Sequence, residues 1–187
     1  MNKMKVKWLL LSVLCICTLS CRHGQSINNE GKGHLIIDTT KIVILPYDST
    51  DTWLFKNCYQ AELTDTDFEL SDSILTVCIN KYNIEQEKRF TEICSEYPNT
   101  DFDKYRFVID LSRYRRQYIC VTNEKGEKEV FINFLCEESF SNPWDEENPN
   151  SWKTGIILVD DGGNCFFQLK INLITKEYYD FYVNGVA

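Results

Sequence analysis

Histidine is almost missing from this chain. His23 and His34 are its only two in 187 residues, and both fall in or beside a polar, glycine-bearing stretch. A serine or cysteine nucleophile needs its imidazole held by rigid neighbours, so His-dependent nucleophilic catalysis is not expected. Zinc hydrolysis fails likewise, because two tail histidines do not supply a three-ligand site. No G-K-[ST] follows a glycine-rich turn, which removes the phosphate loop. Positive charge is also short: 20 Lys and Arg face 28 Asp and Glu, a net charge of −8. Phosphate binding needs clustered Lys and Arg, so no nucleic-acid partner is expected. Proline is rare, at four, while eleven Phe and ten Tyr are present. A chain this aromatic can fill a core and is not of the disordered class.

Cysteine is plentiful only until its positions are read. Of nine, Cys15, Cys17 and Cys21 lie in VLCICTLSC, at the end of the N-terminal segment. Cys58, Cys78, Cys94, Cys120, Cys136 and Cys165 remain. Their spacings are wide and contain no C-x-x-C, so zinc-knuckle and thioredoxin-like patterns are absent. An even number in an exported chain permits up to three disulfides, and buried free thiols are the alternative. No cofactor or metal is expected.

The N-terminal segment, MNKMKVKWLLLSVLCICTLS, carries Lys3, Lys5 and Lys7 and no acid, followed by an apolar run from Trp8 to Leu19. That run is shorter than the roughly 20 residues a bilayer core requires. It matches the basic and apolar regions of a secretory signal. Thr18-Leu19-Ser20-Cys21 resembles a bacterial lipobox, departing from it in that Leu stands at −2 where −3 is usual. The resemblance implies a diacylglyceryl group on the Cys21 thiol, cleavage before Cys21, and acylation of the new amine. More than one chain, at about 0.8 kcal/mol per buried CH₂, makes release slow. The expected organisation is a signal peptide over 1–20, a flexible tether over 21–33 and one α+β domain over 34–187. Without its signal the chain keeps 17 basic and 28 acidic side chains. Arg22 to Ser26 contain no acid, which favours the periplasmic face of the outer membrane over surface export.

Local patterns set the fold expectation. LIIDTTKIVIL (35–45) is β-branched and closed by Pro46, and predicts one or two strands; WLFKNCYQAE predicts a short one. Thr64 and Asp67 occupy the two positions of a capping box, with Leu63 and Phe68 as its hydrophobic staple. Phe68, Ser71, Leu75, Cys78 and Tyr82 then recur on one helical face. The spacing predicts one long helix over about 65–95, ended by Pro98, with its second half more exposed. YRFVIDL (105–111), RRQYICVTN, KEVFINFLC, TGIILV, NCFFQLKINL and EYYDFYVNG predict strands. Gly126 is placed to turn one hairpin, and Asp160-Asp161-Gly162-Gly163 another. The element order predicts an α+β fold: one long helix packed on a four- to six-stranded antiparallel sheet, a layout shared by cystatin-like and NTF2-like folds.

Residues 35–187 are similar to uncharacterised lipoproteins of Bacteroidota-type bacteria. INKYNIEQEKRF, YRRQYICVTNEKGEKEVFINFLC, DDGGNCFFQLKINL and DFYVNG carry that resemblance. It implies an envelope location and a single α+β domain, and brings no catalytic residue set.

Two stretches are candidate binding surfaces. SRYRRQY places Arg113 and Arg115 on one strand face, with Tyr114, Arg116 and Tyr118 on the other. Arg113 and Arg115 could hold a carboxylate or sulfated glycan, or pair with acids across the sheet. EESFSNPWDEENPNSWK (137–153) is the longest irregular segment, and loops of that length are often functional. Within it Trp144 and Trp152 flank Asp145 and Glu146, suited to a protein or sugar contact or to pinning the loop. Asp160 and Asp161 are read as turn residues. The functional expectation is a membrane-anchored envelope lipoprotein, a binding or inhibitor/immunity-like domain without catalysis. Its partners would be the membrane, through the lipid, and an envelope protein or glycan. The alternatives are a carboxylate-based hydrolase of envelope glycan or peptide, and a structural envelope component.

Overall fold

The computed structural model describes residues 38–140, 148 and 150–185. The segments expected to be a signal and a tether, with Cys21, and the loop residues Trp144, Asp145 and Glu146 lie outside them. The architecture is α+β: one long helix packs against a six-stranded, mostly antiparallel open sheet. The elements are β1 (Ile42–Ile44), β2 (Tyr59–Gln60), α1 (Asp65–Glu96), β3 (Tyr114–Thr122), β4 (Lys128–Cys136), β5 (Phe166–Asn172) and β6 (Glu177–Val183). The spatial order is β1-β3-β4-β5-β6, with β2 beside β1 on the outer edge of β3. The sheet is antiparallel as expected except at one ladder, where β1 runs parallel to β3.

Helix α1 starts where its capping box places it. The Thr64 amide donates to Asp67 Oδ2 at 3.0 Å, and the Asp67 amide donates to Thr64 Oγ1 at 3.3 Å. Lys128 Nζ reaches the same Asp67 oxygen at 2.6 Å, tying the helix start to β4. The side chains of Phe68, Ser71, Ile74, Leu75, Cys78 and Ile79 are buried. They meet the inner sheet face, formed by alternate residues such as Tyr118, Cys120, Ile132, Phe134, Phe167 and Leu169. Phe134 and Phe167 stack there at 4.0 Å. The second half of α1 is held differently: Asn83 accepts from the Ile109 amide and donates to the Ile109 carbonyl, both at 2.8 Å.

The segment 105–111 is not a strand. Asp103 and Asp110 each cap a 3-10 turn, over Lys104–Arg106 and Leu111–Arg113. A short carboxylate bonding its own backbone two residues on competes with the ladder and wins here. The β3–β4 hairpin forms as expected, with Gly126 at φ +79°. The DDGG stretch does not join two strands, because residues 154–159 form none. Gly162 is nonetheless required: its φ is +89°, and a Cβ would sit 2.7 Å from the Phe166 ring. Strand β6 closes the far edge, with Asp180 at φ +49° in an irregular register and paired to Lys170 at 3.0 Å. A kinked, charged edge resists pairing with another chain.

Candidate functional site

The outer sheet face is covered by two loops rather than by helices. Leu45, Leu54 and Phe55 pack on Ile119, Val121 and Phe131. Beside them, segment 152–157 lies against Gln117 and Asn133, which are partners across β3 and β4. Gln117 is fully buried. Its Nε2 donates to the Trp152 and Gly155 carbonyls at 2.6 and 2.8 Å, and its Oε1 accepts from the Ile157 amide at 3.0 Å. Asn133 Nδ2 donates to Gln117 Oε1 at 2.9 Å and to the Ile157 carbonyl at 2.6 Å. Gly155 and Ile157 of TGIILV thus find backbone partners in these two side-chain amides, and Val159 in a third, Asn184, in place of a neighbouring strand.

This clamp settles the place of Trp152, whose exposure is 1%. It is a packing residue, and its ring offers no open face to a partner. Arg115 lies over it, with its guanidinium carbon 5.4 Å from the Trp152 ring centre and 4.2 Å from that of Phe140. Arg113 is not on the strand. It belongs to the 3-10 turn before β3, pairs with Glu138, and lies 4.1 Å over the Tyr105 ring. Arg116 pairs with Asp72 of α1 at 2.9 Å. The structure therefore brings Arg115 and Trp152 together. It engages all three arginines of SRYRRQY within the fold.

A cleft of about 490 Å³ opens beside Arg113, bounded by the 103–113 segment, Glu138, Asp161 and the disulfide Cys136–Cys165. Two of its acids, Asp103 and Asp110, cap the turns beside it. Asp103 Oδ1 accepts from the Tyr105 amide at 2.9 Å. Asp110 Oδ1 accepts from the Ser112 hydroxyl and amide at 2.7 and 3.0 Å, and these bonds hold its carboxyl below the usual range. Asp38, Asp48, Asp67 and Glu127 are displaced in the same direction. A general acid working near neutrality needs the opposite displacement. Among the described residues no cluster of His, Cys, Asp and Glu could hold a metal ion, and no helix is long and apolar enough to cross a membrane.

The open aromatic surface lies elsewhere. Trp53 and Tyr182 are 49% and 55% exposed. They flank a groove of about 390 Å³ that also contains Gln168, Lys170 and Asp180. Trp53 stands edge-on against Phe131, with ring centres 6.3 Å apart and planes at 89°. Lys170 is fixed between Asp180 and the Phe55 ring, 5.2 Å from its centre. Sequence reading missed this groove. Trp53 sits in a stretch that reads as a strand, and Tyr182 belongs to an alternation that does not reveal a sheet edge. No protein-family model, curated protein or solved structure matches the chain.

Proposed function

We propose that this protein is a lipid-anchored binding domain of the bacterial cell envelope, on the periplasmic side of the outer membrane, acting by recognition without catalysis. The observation that carries the binding reading is the Trp53–Tyr182 groove. Large amphipathic rings left open around fixed polar groups are the composition of contact surfaces. Asp38, Asp48, Asp67, Asp110 and Glu127 are displaced downward and hydrogen-bonded within the fold, so none of these five is poised as a general acid. The lipobox-like Thr18–Cys21 and the resemblance to Bacteroidota-type lipoproteins support the anchor. The partner is an envelope protein or glycan, and neutralising a periplasmic toxin or hydrolase is one form of the role.

The groove is tested by capture from a solubilised envelope fraction, reading both protein and carbohydrate. Trp53→Ala and Tyr182→Ala should each reduce capture roughly tenfold or more, the behaviour of aromatic hot spots. Capture that ignores both changes removes the groove from the proposal. Trp152→Ala is an unsuitable probe, because it empties a core position. For the anchor, cells fed a labelled fatty acid should label the wild-type chain and leave Cys21→Ser unlabelled. Equal labelling of the two would show that Cys21 is no lipid acceptor.

A further inference from the structure

Two arginines that no sequence motif marks lie on a second cleft. It measures about 550 Å³ and is walled by α1, the 102–107 segment and the C-terminal 183–185 stretch. Arg89 and Arg106 line it with Gln86, Tyr82, Phe102 and Phe107, and no acid does. That is unusual in a chain with 28 acids and 20 bases.

Three acids close in sequence are engaged by other groups. Glu87 pairs with Lys104 at 2.7 Å, and Glu92 with Lys88 at 3.9 Å. Asp103 caps the 3-10 turn that carries Arg106. Among the described residues, neither Arg89 nor Arg106 has a carboxylate partner, in contrast to Arg113 and Arg116. The walls are braced from behind. Phe90 packs edge-on against Phe107 at 5.3 Å, and Tyr82 against Phe181 at 5.5 Å. Asn164 is fixed by the Tyr105 and Val108 carbonyls at 2.8 and 3.0 Å. The Asn184 side-chain Nδ2 donates to the Asp161 carbonyl at 2.9 Å.

We infer that this cleft binds a small oxyanion-bearing ligand, a carboxylate or sulfate on a sugar-sized body, held by Arg89 and Arg106 against the Tyr82, Phe102 and Phe107 rings. A guanidinium presents paired N–H donors matched to such groups. The cleft falls within the range of small-ligand sites, roughly 300–1,000 Å³. The inference extends the binding reading to a second surface and depends on neither the lipid anchor nor the Trp53 groove.

The probes are glucuronate, inorganic sulfate and glucose. The readout is the arginine side-chain N–H resonances of the purified, folded protein. Glucuronate should shift the Arg89 and Arg106 signals saturably, while glucose should not. Arg89→Ala and Arg106→Ala should each weaken glucuronate roughly tenfold, the loss of one charge-assisted contact. Lys88→Ala removes the same charge from a neighbouring position and should leave the affinity within about twofold. Sulfate binding as tightly as glucuronate, with the same arginine dependence, would assign the site to the anion alone. Tighter glucuronate would add the rings. Either result supports the site. Shifts that never saturate, spread equally over all exposed arginines, or respond to Lys88→Ala as to Arg89→Ala overturn it. Because the purified chain alone is used, such a failure leaves envelope capture through Trp53 standing.

Discussion

Gln117→Leu should cost this protein about 3 kcal/mol or more, read as a lowered urea midpoint at unchanged slope. The substitution is close in volume and apolar, in a fully buried position, so burial alone would favour it. The hydrogen bonds decide otherwise. Leucine leaves the Trp152 and Gly155 carbonyls and the Ile157 amide without the partners they now have. Each buried group left unpaired costs about 1–3 kcal/mol, though part is recovered where the segment lifts into water. That lifting supplies a second readout. Trp152 leaves its buried position as segment 152–157 detaches, so its emission should shift to the red under native conditions. Asn133→Leu loses two bonds and should cost less, about 2 kcal/mol. The double variant should fall short of the sum by roughly 1 kcal/mol, since the two amides bond each other. A Gln117→Leu protein within about 0.5 kcal/mol of wild type, with unshifted emission, would show that the amides merely decorate the face.

That clamp also marks where sequence reading stopped. Helix α1 was legible because its signals are local: Thr64 and Asp67 three residues apart, a stripe from Phe68 to Tyr82, and Pro98 beyond its end. The β3–β4 hairpin was legible through Gly126 for the same reason. TGIILV has a strand's composition, yet its backbone partners are side chains at 117, 133 and 184, and no window around 154–159 contains them. YRFVIDL alternates like a strand, but Asp103 and Asp110 turn the chain at either end. Here a signal was present, since Asp110 precedes Ser112 as an Asx turn requires. The candidate site was less legible than the fold. Arg113, Arg115 and Arg116 form a conspicuous basic run, and each is engaged within the fold. Lys88 and Lys104 pair with Glu92 and Glu87, while Arg89 and Arg106 have no carboxylate partner among the described residues, a competition settled only in three dimensions. Exposure is equally unreadable from composition: Trp152 is in the core and Trp53 is half open.

Loss of the Cys136–Cys165 bridge should have an effect of the same order, about 3.5 kcal/mol for the 29-residue separation it closes on the loop-entropy account. Cys136 is the last residue of β4, and Cys165 immediately precedes β5. The neighbouring pair Leu135 and Phe166 is the final rung of the β4–β5 ladder. The bridge therefore joins two strands that already pair and adds little new contact to the folded state. Its effect falls on the unfolded chain, which it keeps from spreading residues 137–164. Both Cys136→Ala, Cys165→Ala and treatment with a reductant should lower the midpoint, with folded binding surfaces intact. The two buried thiols, Cys78 and Cys120, should not substitute for it. Burial pushes Cys78 and Cys120 each up to about 11, so little thiolate exists near neutral pH to attack a disulfide. Peptide mapping without reduction should recover one linked pair from these two positions, and Cys78 and Cys120 as thiols. A bridge of this value persists only in an oxidising compartment, so the same mapping bears on location. Protein recovered from the envelope should carry the bridge, and protein made in the cytoplasm without residues 1–20 should be less stable by the amount the reductant removes. Equal stability in the two preparations, with the bridge present in one alone, would remove the disulfide from the account of what holds the β4–β5 connection.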